Sequence, residues 1–271
     1  MQRRQFVRSS VAVSLAAIAG GVQAQGQASG AAQGNAGGRE FYHLRRYSLR
    51  SGPQLKATES YFSDALIPAL TRMGMGPVGA FKVDIGPETP AYTLLIPGSS
   101  VEALAELDLR LAQDGEFMKA ADSYWNGTAA APGFERVDGS LLKAFEGWPK
   151  LTPPAMSATK AKRIFQLRTY ESPSYGEHVR KVEMFHSGEF EIFKAAGFRM
   201  VFFGDTLVDA RMPSLTYMLS FADLAELDAR WEVFRNDPAW KKLSGSPRYA
   251  FDPIVSNITN LILSPLGCSQ I

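Results

Sequence analysis

Cysteine is almost missing from this chain of 271 residues, whose single thiol is Cys268. One cysteine excludes a disulfide within the chain and any cysteine-rich metal site. Histidine is scarce as well, with three in all, and no HExxH or Cys/His cluster supplies a metal-ligand set. There is no phosphate loop and no GxSxG elbow, so Ser/His/Asp catalysis has no support in the sequence. Gly74-Met75-Gly76-Pro77-Val78-Gly79 does spell GxGxxG. It closes a helical stretch and leads into a strand, the reverse of the strand-to-helix order that a dinucleotide site needs. An excess of basic charge is also lacking. The formal net charge is +2, but Arg3, Arg4 and Arg8 lie in a segment expected to be removed, which leaves 26 basic against 27 acidic residues. Without a basic field, nucleic acid is not an expected partner.

What is present is a globular composition, 45% hydrophobic and 21% charged. Residues 1–24 read as a signal peptide: paired Arg3-Arg4, a short apolar run from Val11 to Ala19, and small residues at Val22 and Ala24. The run is shorter than the about 20 apolar residues that span a bilayer, so no membrane span is expected in the mature chain. RRQFV resembles twin-arginine signals, and the expected destination is the periplasm or the exterior of a bacterium. Residues 25–38 contain only small and polar types and read as a flexible tether. A first folded unit is expected over 39–147, a Pro-rich linker over 148–162 and a second unit over 163–271.

The two units share an order of strand, helix, strand, strand, helix, strand. Leu167-Arg168-x-Tyr170 repeats Leu44-Arg45-x-Tyr47 at an offset of 123, and Leu224-Ala225-Glu226-Leu227-Asp228 repeats Leu104-Ala105-Glu106-Leu107-Asp108 at an offset of 120. The fold class is therefore α+β: two tandem ferredoxin-like units whose sheets face each other and close a barrel about an internal pseudo-twofold axis. Strand alternation is read as turning Leu44 and Leu167 toward the helices. On that reading His43, Arg45 and Tyr47, and likewise Gln166, Arg168 and Tyr170, enter the space between the sheets. A buried arginine needs a carboxylate or an anionic ligand. Arg168, Tyr170 and Tyr217 are thus candidate ligand-binding residues, with Arg45, Tyr47 and His43 in the first unit. Arg211 is a further candidate on a rim turn.

His178 and His186 sit eight residues apart on one helix, roughly 12 Å along its axis, too far to share a metal. Either is open as an axial haem ligand, although no cofactor is expected. Arg180, Lys181, Glu183, Glu189, Glu191 and Lys194 read as a solvated helix face. Gly188, inside that helix, reads as a site of close packing. Phe185, Phe193, Trp231, Phe234 and Trp240 read as core.

IFQLRTYES, EMFHSGEFEIF, FFGDTL, RMPSLTYMLSF, DPAWKKL and the closing IVSNITNLILSPLGCSQI together resemble the NIPSNAP family. The match covers the second unit, with the first as a divergent copy; Cys268 departs from an expected aromatic. The resemblance implies the dimeric α/β-barrel superfamily, which holds cofactor-free monooxygenases, haem enzymes and plain ligand binders, and it fixes no reaction. Three functions stay open: a binder of a small polar or anionic molecule, a cofactor-independent monooxygenase or isomerase using Tyr170, Arg168 and a histidine, and an interaction module, with a homo-oligomer as a further arrangement.

Overall fold

Residues 38–271 are described by the computed structural model of the chain. The expected leader and the tether, apart from Gly38, lie outside them. Aromatic and apolar runs form the strands β1 (Phe41–Ser48), β2 (Gly79–Ile85), β3 (Ala91–Gly98) and β4 (Arg136–Ala144). Between β1 and β2, α1 (Pro53–Ser60) passes through a π-helical stretch, Tyr61–Leu66, into α2 (Ile67–Arg72). Between β3 and β4 lie α3 (Val101–Ala105), α4 (Leu107–Leu111) and α5 (Gly115–Trp125). Between β4 and β5 (Ile164–Glu171) lies one short turn of helix, α6 (Ala155–Ala158).

The same order then recurs. β5 (Ile164–Glu171) is followed by α7 (Tyr175–Met184), a π-helical stretch Phe185–Glu189 and α8 (Phe190–Ala195). β6 (Arg199–Val208) and β7 (Ser214–Phe221) come next, then α9 (Leu224–Asn236), α10 (Pro238–Ser244), α11 (Phe251–Ile254) and β8 (Asn257–Pro265). Side-chain caps set the helix starts. Ser174 Oγ accepts from the Glu177 amide at 3.2 Å, with Glu177 three residues on as in a capping box. Asp223 accepts from the Glu226 amide at 2.9 Å, at the start of α9.

The eight strands close into one antiparallel barrel in the order β1-β3-β2-β8-β5-β7-β6-β4. Each half contributes four strands in one order, β4-β1-β3-β2 and β8-β5-β7-β6, and two seams, β2–β8 and β4–β6, join them. The expected pseudo-twofold α+β barrel is the observed fold. Among the described residues no helix is long and apolar enough to cross a membrane.

Three apolar clusters pack the described residues. One packs the outer face of the first half's sheet under its helices, around Phe62, Leu66 and Tyr92. A second does the same in the other half, around Phe185, Phe193, Phe203 and Tyr217. The third lies inside the barrel, where Tyr42, Phe81, Phe165, Phe202, Met218 and Leu263 converge. Leu167 belongs to that interior cluster, and Leu44 packs against it. This inverts the expected facing: Leu44 and Leu167 point into the barrel, and Arg45, Tyr47, Arg168 and Tyr170 point out toward the helices. Both faces of these strands are covered, so alternation alone does not say which face is which.

Candidate binding site

Because β5 turns Arg168 and Tyr170 outward, the polar cluster expected between the sheets forms under the helices of the second half. Arg168 on β5 and Tyr217 on β7 are register partners and so project side by side. Arg168 donates to Tyr170 Oη from Nη2 at 3.0 Å and from Nε at 3.3 Å. The Tyr170 and Tyr217 hydroxyls lie 2.9 Å apart. The guanidinium also sits over the Trp231 ring, 4.6 Å from its centroid. Gln166, on the same face of β5, accepts from Trp231 Nε1 at 2.7 Å and fixes that indole.

Behind this cluster lies an ion pair that the sequence reading placed in solvent. Lys181 Nζ donates to Glu189 Oε2 at 2.6 Å, with the side chains 0% and 2% exposed. The ammonium is also 3.6 Å from Met184 Sδ, 4.3 Å from the Phe185 ring centroid and 5.3 Å from that of Tyr170, so a thioether and aromatic faces stand around it. Gly188 makes the geometry. Its φ of 147° lies where L side chains rarely go, inside the π-helical stretch that carries Glu189 inward. Among the described residues beyond its own helix and chain neighbours, the one atom within 4 Å of an added Cβ is Leu243 Cδ2, at 3.8 Å, so backbone conformation rather than close packing explains this glycine.

Charge and proton positions follow from burial. Burial pushes the Tyr217 phenol well above its ordinary range, which keeps it a hydrogen-bond donor. Glu189 is also raised by burial, with Lys181 opposing the shift. For Arg168, burial works against the charge, but the Tyr217 and Tyr170 oxygens outweigh it and hold the guanidinium protonated. The cluster therefore holds two cations, Arg168 and Lys181, against one carboxylate. Among the described residues no carboxylate lies within 4 Å of Arg168. A cleft of about 430 Å³ opens over it, walled by Trp231, Phe234, Trp240 and Phe251, with Asp228 at its solvent-exposed rim.

The first half shows the closed counterpart. At the offset of 123, Arg45, Tyr47 and Leu94 stand where Arg168, Tyr170 and Tyr217 stand, while Thr58 and Leu66 replace Lys181 and Glu189. Here Arg45 has its own anion: Nη1 donates to Asp108 Oδ1 at 2.8 Å. Nε donates to His43 Nδ1 at 3.3 Å. Burial and then the Arg45 charge lower His43 to about 4, so it accepts as a neutral imidazole. The cleft over this group is smaller, about 290 Å³.

The remaining candidates lie apart. Arg211 is at the open end of the barrel, 3.4 Å from Thr259 Oγ1 and 3.7 Å from Glu171 Oε1, and does not reach the Arg168 cleft. His178 Nε2 bonds Asp205 Oδ1 at 2.7 Å. His186 has both ring nitrogens engaged, Nδ1 with the Val182 carbonyl at 2.9 Å and Nε2 with the Gly147 amide at 3.1 Å. Neither histidine lines the cleft over Arg168.

Comparison with known proteins agrees with this architecture. The family model described as NIPSNAP matches residues 42–130 and 165–270. A candidate monooxygenase from Lactobacillus acidophilus NCFM superposes with a TM-score of 0.55 at 10% identity, over 84% of this chain and 94% of its own. One from Fusobacterium nucleatum subsp. nucleatum ATCC 25586 gives 0.54 at 8% identity, over 84% and 93%. An uncharacterised NIPSNAP-like domain protein from Burkholderia xenovorans is 18% identical over 39% of this chain and 86% of its own, with a TM-score of 0.35. No curated protein matches the chain. At these identities the Lactobacillus and Fusobacterium superpositions speak to fold alone.

Proposed function

The chain belongs to the NIPSNAP family, and from that footing we propose that it binds a small anionic molecule in the cleft over Arg168. One observation carries the reading: Arg45 is neutralised by Asp108 at 2.8 Å, whereas among the described residues no carboxylate lies within 4 Å of its counterpart Arg168; of the two carboxylates lining the cleft, Glu189 is paired with Lys181, and Asp228, at the repeat position of Asp108, is exposed at the rim. The surplus positive charge selects an anion, and the carboxylate class suits a guanidinium edge best. Trp231, Phe234, Trp240 and Phe251 favour a planar apolar body behind it. A small aryl carboxylate combines both.

The cofactor-independent monooxygenase or isomerase reading needs a base to take a proton from the substrate. Tyr217 is held protonated by burial, and Glu189 is committed to Lys181, so this cluster favours holding an anion over making one. The repeated strand order and the two family matches support descent of the halves from one duplicated unit. The Arg3-Arg4 leader supports an exported protein.

The test is titration calorimetry of the folded chain with benzoate and larger aryl carboxylates. Arg168→Ala should weaken binding by about 10- to 100-fold, the range for one charge-assisted hydrogen bond. Arg45→Ala should leave it unchanged. A folded Arg168→Ala protein that binds as the parent does, or a parent that binds none of the series, overturns the assignment.

A further inference from the structure

The barrel is packed at one end and hollow at the other. Along the inward faces, the apolar residues give way to polar ones: Leu44 to Arg46 on β1, Leu95 to Thr93 on β3, Leu167 to Thr169 on β5, Leu261 to Thr259 on β8. Arg46, Thr93, Thr169, Thr216 and Thr259 surround a cavity of about 540 Å³ floored by Leu44, Leu167 and Leu261. It lies on the opposite side of the sheet from the Arg168 cleft and shares no residue with it.

Two polar atoms in this cup are buried with no partner among the described residues, Arg46 Nε and Thr93 Oγ1. Thr93 is 2% exposed. The two residues are register partners on β1 and β3, so their side chains stand together on the inner face. Arg46 is held in place by its other nitrogens, Nη1 on Glu88 Oε2 at 3.2 Å and Nη2 on the Glu88 carbonyl at 2.9 Å. Its Nε–H is left for another acceptor. On the facing wall Thr169 and Thr216 pair their hydroxyls at 2.8 Å and keep unused lone pairs.

The charges around the cup balance, with Arg46, Arg136 and Arg211 against Glu88, Asp138 and Asp209. A net-neutral cup rewards an ionised ligand little. A wall of hydroxyls, with donors and acceptors at several heights, matches a neutral molecule carrying many hydroxyls. We propose that the barrel lumen is a second binding site, taking a small neutral polyhydroxylated molecule of polyol or monosaccharide size, with Arg46 Nε and Thr93 Oγ1 as its anchor.

The test is saturation-transfer NMR of the full chain with mannitol, myo-inositol and glucose as probes. At least one should bind the parent saturably, and Thr93→Val should weaken it about tenfold, the loss of one hydrogen bond. Thr93→Ser, which restores the hydroxyl, should bind as the parent does. Thr259→Val provides a second reading from the opposite wall and should also weaken binding. Arg168→Ala should leave polyol binding intact, which separates this site from the anion cleft. Failure of all three probes on the parent, or unchanged affinity in both valine variants, overturns the proposal.

Discussion

Replacing Lys181 with Met removes a buried ammonium and leaves the Glu189 carboxylate behind. The pair is 2.6 Å long with both side chains buried. Removing one partner of such a pair typically costs about 3–5 kcal/mol, because the surviving charge is stranded. Met keeps the length and the aromatic contacts of the lysine stem, so most of that loss is electrostatic. Burial already raises the Glu189 pKa above its ordinary value with Lys181 beside it. Without the lysine the folded protein takes up a proton more readily still than the unfolded chain. The stranded charge therefore destabilises at high pH and is relieved as pH falls. Urea unfolding followed by tryptophan fluorescence should show Lys181→Met less stable by about 4 kcal/mol at pH 8, with a smaller deficit at pH 5. The double variant Lys181→Met, Glu189→Leu should regain most of it, since Leu66 fills the matching position of the first half without a charge. A single-variant cost below about 1 kcal/mol, or a double variant less stable than the single, would refute the argument.

Two other predictions concern groups outside that pair. His43 is lowered to about 4, so the unfolded chain binds its proton first; its stabilising contribution is present above about pH 6.5 and is lost as pH falls toward 4. Between pH 8 and 5 that amounts to about 2 kcal/mol, and His43→Asn should remove this part of the pH dependence in unfolding titrations. Gly188→Ala should cost about 1–3 kcal/mol through its φ of 147° alone, read as a fall in urea midpoint; an unchanged midpoint would show that the helix relaxes without strain.

Much of the fold is legible in the sequence because each half spells out its strands and helices with different periods and separates them with Gly and Pro. The order of strand, helix, strand, strand, helix, strand read for each unit is the order observed in each half. The facing of the strands is not legible. Every residue of β7 is buried, so its pattern has no wet side to mark the outside. Arg168, Tyr170 and Tyr217 were recognisable as a group, since their side chains share a face whichever way that face turns. Lys181 and Glu189 were hidden because their inward placement depends on the wider π-helical turn, and an ideal helix does not reproduce it. Gly188 was the one available signal. A glycine in mid-helix marks a backbone departure, and its acidic neighbour is then no longer safely assigned to solvent.

Closure of the sheet also governs how copies of this chain can meet one another. A four-stranded half taken alone would bare β2 and β4, or β6 and β8, each with a full row of unpaired amides and carbonyls. In the intact chain each half caps the other's raw borders, and because both belong to one polypeptide the capping does not depend on protein concentration. Fragments ending near residue 150 should accordingly be sticky, and should find each other when mixed. Among the described residues the closed barrel offers no strand border to a neighbour, so association through them is left to the helix-clad exterior.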